Sequence, residues 1–159
     1  MFSGALKLAD LQLSLRAAIA AGLAVVVADL LRLPYPIYAM ISAVLVTDLS
    51  PLQTRRLGWP RLVATVMGTG IGASMNALLP SGLWTVAFGV AAAMLLSQLL
   101  RMRHAAKVAG YICGIVLLDH GEQPWAYAVV RMVETLLGIG AAMLVSLVPK
   151  LVEDKEPTP

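Results

Sequence analysis

The chain has 159 residues and a net charge of +3; 59% of its residues are hydrophobic and only 13% are charged. Soluble domains carry about twice that share of charged residues to cover their large surface. The composition nearly excludes a soluble monomer and indicates a membrane protein. It leaves room for about six apolar helices of about 20 residues each, and none for a separate soluble domain.

Six apolar segments follow one another along the chain, and prolines close several of them, as expected where a helix stops. We predict a single all-α membrane domain over residues 1–159, with a disordered tail at 150–159. The second and fifth segments are short, about 21 Å as helices against a bilayer core of about 30 Å. They are either broken spans or ordinary spans with longer ends. The six predicted spans cover residues 12–33, 37–50, 60–79, 83–100, 105–118 and 125–148.

Positive charge is strongly segregated in this arrangement. Ten of the twelve lysines and arginines fall on the side that holds both termini, and only Arg32 and Arg131 fall on the other. Lysine and arginine concentrate on the cytoplasmic side of membrane proteins. We therefore expect a multi-pass protein of the inner membrane with cytoplasmic N- and C-termini.

The chain also contains an internal repeat. The segment that starts Arg61-Leu-Val-Ala-Thr65 matches the segment that starts Arg131-Met-Val-Glu-Thr135, and the earlier segments of each half align at nearly the same offset. We predict two three-helix repeats, 12–80 and 83–149. Because three is odd, the second repeat enters the membrane from the opposite face, an inverted arrangement found in many secondary transporters.

Arg61 and Arg131 are the sharpest polar features of the predicted spans. Each shares a helical stripe with a threonine and small residues at the spacing of close helix packing. Charges inside a span are costly and often functional, so the pair could attract an anion at opposite mouths of one pathway. Alternatively they are structural, snorkelling to headgroups or paired to a carboxylate. The candidate carboxylates are those of Asp48, Asp119 and Glu134.

Three further side chains could line the same pathway. Lys107 enters the fifth span and could face a cytoplasmic vestibule or simply snorkel. Tyr38 and Tyr111 could stack on an aromatic substrate, and interfacial anchoring is the plainer interpretation of Tyr38.

Other kinds of chemistry lack a sequence signature. No phosphate-binding loop of the GxxxxGK[ST] type occurs, and the single cysteine, Cys113, and the two histidines do not have metal-ligand spacing. We therefore expect no enzyme activity, no cofactor and no metal, and no nucleic acid among the partners.

Several of these segments resemble the fusaric acid resistance and aromatic acid exporter family. The resemblance is carried by Pro34-Tyr35-Pro36-Ile37-Tyr38-Ala39, by Ser42 to Val46, by Arg61 with Thr65, Gly68 and Gly72, and by the run from Ala126 to Val148. It covers roughly residues 12–149. Members are six-helix membrane units implicated in efflux of aromatic carboxylic acids, and plant malate-type anion channels are similar in their membrane part.

The resemblance implies an exporter of small organic anions, with Arg61 and Arg131 as the residues carried over. Members of this kind pair two six-helix units, which implies a homodimer in contact with membrane lipids. Without an ATP motif, transport would be driven by a proton gradient or the membrane potential. A passive anion channel would use the same residues, and a non-transporting membrane scaffold remains a third interpretation.

Overall fold

The computed structural model describes residues 8–80, 82–119 and 123–148. These residues form α-helices and no strand, which confirms the all-α prediction. The predicted tail at 150–159 lies outside the described residues. The six helices are α1 (Leu8–Leu30), α2 (Pro36–Val46), α3 (Pro51–Leu78), α4 (Leu83–Leu99), α5 (Arg103–Asp119) and α6 (Pro124–Ser146).

The third helix departs most from the prediction, because it starts at Pro51 and not at residue 60. Proline lacks an N–H and has a fixed φ, so it stops one helix but also suits the first turn of the next. Pro51 takes this starting role, and Pro60 lies inside the helix. The segment with Arg55 and Arg56, expected as a loop, is therefore helical.

The two predicted short helices differ in length. α2 has 11 residues and is shorter than expected, whereas α5 has 17 residues and starts at Arg103. At about 1.5 Å per residue they measure about 16 Å and about 26 Å. Only the second predicted segment is thus unusually short.

The helices pack as two groups of three that are joined along α3 and α6. One buried apolar cluster is built from α1, α2 and α6, and the other from α3, α4 and α5. Each group therefore combines helices from both halves of the sequence. Within each group the closest approaches occur at Gly138 of α6, which packs on Ala39 of α2, and at Gly68 of α3, which packs on Ala109 of α5.

The first helix of each half ends with the same backbone geometry. Arg32 has φ 51° and Arg101 has φ 59°, the only positive φ values of non-glycine residues in the described chain. After α1, the N–H of Leu33 bonds to the carbonyl of Ala28 at 2.9 Å; after α4, the N–H of Met102 bonds to that of Ser97 at 2.9 Å. Both ends are Schellman motifs, in which a left-handed residue closes the helix.

Small side chains fill the interior and large apolar ones cover the outside. On α1 the buried face is Ala20, Ala24 and Ala28, while Leu15 is 59% and Leu30 is 76% exposed. A soluble protein buries its large apolar groups, whereas helices in lipid pack through small residues and expose large ones. The outer surface is therefore suited to hydrocarbon.

Two helices are long and apolar enough to cross a bilayer by length and composition, Ala9–Leu30 and Pro124–Ser146. Pro36–Val46 and Leu83–Leu99 are apolar but shorter. The presence of six helices is confirmed, and the crossing of the membrane by each of them stays a prediction.

Candidate functional site

The site is built where α3 and α6 cross. Thr65 and Thr135 face each other with their hydroxyl oxygens 3.2 Å apart. A Cβ on Gly58, earlier in α3, would lie 3.0 Å from Ile139, later in α6, so the two helices run antiparallel. Arg61 and Arg131 each precede their threonine by one turn, about 6 Å along the helix axis. The arginines therefore lie on either side of the crossing.

Arg131 is fully buried, with 0% of its surface exposed. Its Nε, Nη1 and Nη2 have no hydrogen-bond partner among the described residues. Its guanidinium carbon lies 3.2 Å from the centre of the Tyr38 ring, a cation–π contact. The ring offsets part of the cost of burying the charge, but it supplies no acceptor for the guanidinium donors.

Two more tyrosines surround Tyr38. The ring centres of Tyr35 and Tyr127 are 5.7 Å apart, and that of Tyr38 lies 5.9 Å from Tyr35 and 6.2 Å from Tyr127. These spacings are typical of tilted and edge-to-face aromatic pairs. The three rings form a wall beside Arg131, and anchoring of Tyr38 at a membrane interface stays a prediction.

Arg61 is 4% exposed and, unlike Arg131, has hydrogen-bond partners for two of its three nitrogens. Its Nε donates to Ser42 Oγ at 3.2 Å and its Nη1 donates to the Tyr111 hydroxyl, while Nη2 has no partner. Arg61 lies within Coulombic range of Arg131. The site thus holds two nearby positive charges, of which one has its donors free.

Glu134 is fully buried on α6, one turn after Arg131. Its Oε1 accepts a hydrogen bond of 2.9 Å from the backbone N–H of Tyr35, at the start of α2. Its Oε2 is buried without a hydrogen-bond partner. The carboxyl group therefore ties α6 to the start of α2 and keeps one oxygen available.

The contacts of the remaining predicted residues do not include the arginines. Lys107 is exposed on α5. Asp48 Oδ1 accepts the backbone N–H of Ser50 at 3.1 Å, so this carboxylate shapes the turn before α3. Asp119 ends α5, and its side chain lies outside the described part of the structure. The structure therefore brings together Arg61, Arg131, Glu134, Tyr38 and Tyr111. Lys107 lies one turn before Tyr111 on α5.

Two residues of the site carried no sequence signal for this role. Ser42 lies on α2 and accepts from Arg61 of α3, and Tyr127 of α6 completes the aromatic wall and is 4% exposed. A serine in an apolar run and a tyrosine near the start of one are both common in membrane helices. Only the packing of α2 on α6 reveals their position.

The chemistry available here is electrostatic. Within the described residues, no group of three or more His, Cys, Asp or Glu side chains could hold a metal ion. Buried guanidinium donors bind carboxylate or phosphate oxygens strongly, because the surrounding dielectric is low and the hydrogen bonds are charge-assisted. The fold is all-helical in the described residues, its outer surface suits lipid, and it buries a charged site. These features together are typical of a helical membrane protein.

Comparison with known proteins gives the family. The family model described as aromatic acid exporter family member 1 matches residues 13–148, and the chain belongs to this family. The resemblance noted in the sequence is thereby confirmed, and the protein is a membrane protein of a transporter family. No curated protein and no solved structure matches the chain.

Proposed function

We propose that this chain exports small organic anions, aromatic carboxylates included, across the inner membrane, and that the anion binds at Arg131. The observation that carries the proposal is the fully buried guanidinium with no hydrogen-bond partner for any of its nitrogens. An unpaired buried charge costs several kcal/mol. A carboxylate that enters the site supplies the missing acceptors, and the tyrosine wall offers faces to an aromatic ring.

We propose in addition that all six helices cross the membrane as two inverted repeats. Three observations support this: the identical left-handed ends of α1 and α4, the antiparallel crossing of α3 and α6 between equivalent threonines, and the equivalent glycine contacts of Gly138 and Gly68. In such proteins the substrate site lies near the bilayer midplane, where the repeats meet. In this chain the two proposed repeats meet at the crossing of α3 and α6.

A homodimer is part of the proposal. An open groove of about 560 Å³ runs along the outer face of α3 and α6, and among its lining residues are Leu52, Trp59, Leu136, Ile139 and Met143. This face lies directly behind the helices that carry the two arginines. A second copy on this face would give the twelve helices usual for members built on two six-helix units.

Transport is proposed to be driven by the membrane potential or a proton gradient. An inside-negative potential favours exit of an anion by about 2.3 kcal/mol per charge per 100 mV. Flux that scales with an imposed potential in the absence of ATP would agree with this source of energy.

The test is efflux of labelled benzoate from proteoliposomes that contain the wild-type chain, Arg131→Gln, Arg61→Gln or Arg103→Gln. A charged hydrogen bond in a buried site contributes about 1.5–3 kcal/mol, so Arg131→Gln is expected to slow efflux about tenfold or more. Arg61→Gln is expected to have a smaller effect because Ser42 and Tyr111 already hold its donors. Arg103 is exposed at the start of α5, outside the proposed dimer face, and serves as the control, with unchanged efflux.

Equal efflux from all four proteins would contradict a site at Arg131. No efflux of benzoate or of other small carboxylates from the wild-type chain would favour a scaffold over a transporter. Large unitary currents in planar bilayers, without saturation by substrate, would favour a passive channel.

A further inference from the structure

We propose that Glu134 is a proton-binding residue of this site and that its protonation makes Arg131 available to the anion. The inference rests on the proposed function, since it requires an anion at Arg131. It adds a regulatory step: binding of the anion and binding of a proton reinforce each other.

The two carboxyl oxygens of Glu134 differ in their hydrogen bonding. Oε1 is used by the backbone N–H of Tyr35 at 2.9 Å, whereas Oε2 is buried and has no partner. A proton can therefore bind Oε2 without breaking a hydrogen bond. Only that O–H bond forms; the proton comes from the water on the side that supplies the anion and returns to that side, so the anion crosses the membrane with its charge.

The charge of Glu134 decides whether the charge of Arg131 is compensated within the protein. An ionised Glu134 cancels the charge of Arg131, which lies one helical turn earlier on the same helix. A bound carboxylate would then face a second carboxylate in a low dielectric, and like charges repel strongly there. A protonated Glu134 leaves the charge of Arg131 uncompensated, and the incoming anion compensates it.

The two halves of the chain differ at the position that Glu134 occupies. At the spacing that aligns Arg61 with Arg131 and Thr65 with Thr135, the position of Glu134 corresponds to Ala64. The half that carries Ala64 has an arginine already bonded to Ser42 and Tyr111. The half that carries Glu134 contains Arg131, whose donors are free. The acid is therefore found in the half whose arginine can bind an anion.

The groups around Glu134 contain no competing carboxylate among the described residues. Arg131 and Tyr127 come from α6, and Tyr35 lies just before α2. Tyr38 of α2, Arg61 of α3 and Tyr111 of α5 lie around Arg131. The buried face of α1 presents Ala24 and Ala28, and its Asp29 is exposed. A proton taken up with an anion at this site is therefore assigned to Glu134.

The experiment is isothermal titration of benzoate into the purified full-length chain, in buffers of different ionisation enthalpy at a series of pH values. The wild-type chain is expected to take up about one proton per benzoate, and its affinity to rise about tenfold per pH unit as pH falls, over the range where Glu134 is ionised. Glu134→Gln keeps an acceptor for the Tyr35 N–H. This variant is expected to bind benzoate with an affinity independent of pH and without proton uptake.

Two results would overturn the inference and leave the anion site standing. One is wild-type binding with no proton uptake at any pH, a measurement that needs no variant. The other is a Glu134→Gln variant whose proton uptake equals that of the wild type. By contrast, Arg131→Gln that binds benzoate as tightly as the wild type would overturn the proposed function itself.

Discussion

The hydroxyl oxygens of Thr65 and Thr135 meet at 3.2 Å, although the two residues lie 70 positions apart. Thr65 Oγ1 also donates to the carbonyl of Arg61 at 3.0 Å, which uses its hydrogen. Thr135 must therefore be the donor between the two threonines, since a hydroxyl has only one hydrogen. This bond fixes the antiparallel crossing of α3 and α6, on which the positions of both arginines depend.

Thr135→Val removes that donor at nearly constant volume. Hydrogen bonds between membrane helices contribute about 0.6 kcal/mol on average, so we expect a loss of about 0.5–1.5 kcal/mol in the free energy of unfolding. Thr65→Val should cost a similar amount, and the double variant should cost less than the sum of the two. Denaturation in mixed micelles measures all four proteins, and strict additivity would contradict a direct bond.

Gly138 and Gly140 give a matched pair on α6. A Cβ on Gly138 would collide with the backbone carbonyl of Ala39 and lie 2.8 Å from Ser42 Cβ, whereas a Cβ on Gly140 would meet nothing within 4 Å. Gly138→Ala must force α2 and α6 apart, and we expect a loss of about 1–3 kcal/mol, as in other overpacked cores.

Gly140→Ala is the control for this substitution. Alanine favours the helix over glycine, so the stability of this variant should be unchanged or slightly higher. Thermal unfolding in detergent, followed by circular dichroism, compares the two variants. An equal loss in both would contradict the packing of α2 on α6.

Tyr38 covers the guanidinium of Arg131 with its ring, so the aromatic face should matter more than the hydroxyl. Tyr38→Phe keeps the cation–π contact and should leave benzoate efflux within about twofold of the wild type. Tyr38→Leu removes a contact that contributes about 1–2 kcal/mol when desolvated, and efflux should fall about fivefold to thirtyfold. A larger loss in Tyr38→Phe than in Tyr38→Leu would show that the hydroxyl is the group required.

The proposed topology predicts that Arg32 and Arg103 lie on opposite sides of the membrane, because α2, α3 and α4 separate them. Both positions are exposed, and the natural Cys113 is buried, which keeps background labelling low. In intact cells an impermeant thiol reagent should label Arg32→Cys and not Arg103→Cys. Arg103→Cys should react only after the cytoplasmic side is opened, and labelling of both from one side would contradict six crossings.

The helical period alone predicts a large part of the site. Arg61, Thr65 and Gly68 recur at spacings of three and four residues, which places them on one face of any helix. The same holds for Arg131, Thr135 and Gly138, and all of these residues are buried. Their burial and their small neighbours confirm the predicted packing stripes.

The rest depends on contacts between helices that the sequence does not specify. The sequence offers snorkelling or pairing with a carboxylate for Arg131, and it does not indicate the Tyr38 ring that lies over the guanidinium. Which helix covers that arginine is decided by the packing of α2 on α6. The early start of α3 was missed for a local reason, because Pro51 can both end a segment and begin a helix.

The sharing of helices between the two packed groups affects how the chain is made. α2 packs mainly on α6, and α3 packs mainly on α5. Both neighbours belong to the second half of the chain, so α2 and α3 are synthesised before the helices on which they pack. During synthesis Arg61 therefore lacks its contact with Tyr111 until α5 follows. Assembly is therefore completed late, when α6 arrives and brings Arg131, Thr135 and Gly138 into place together.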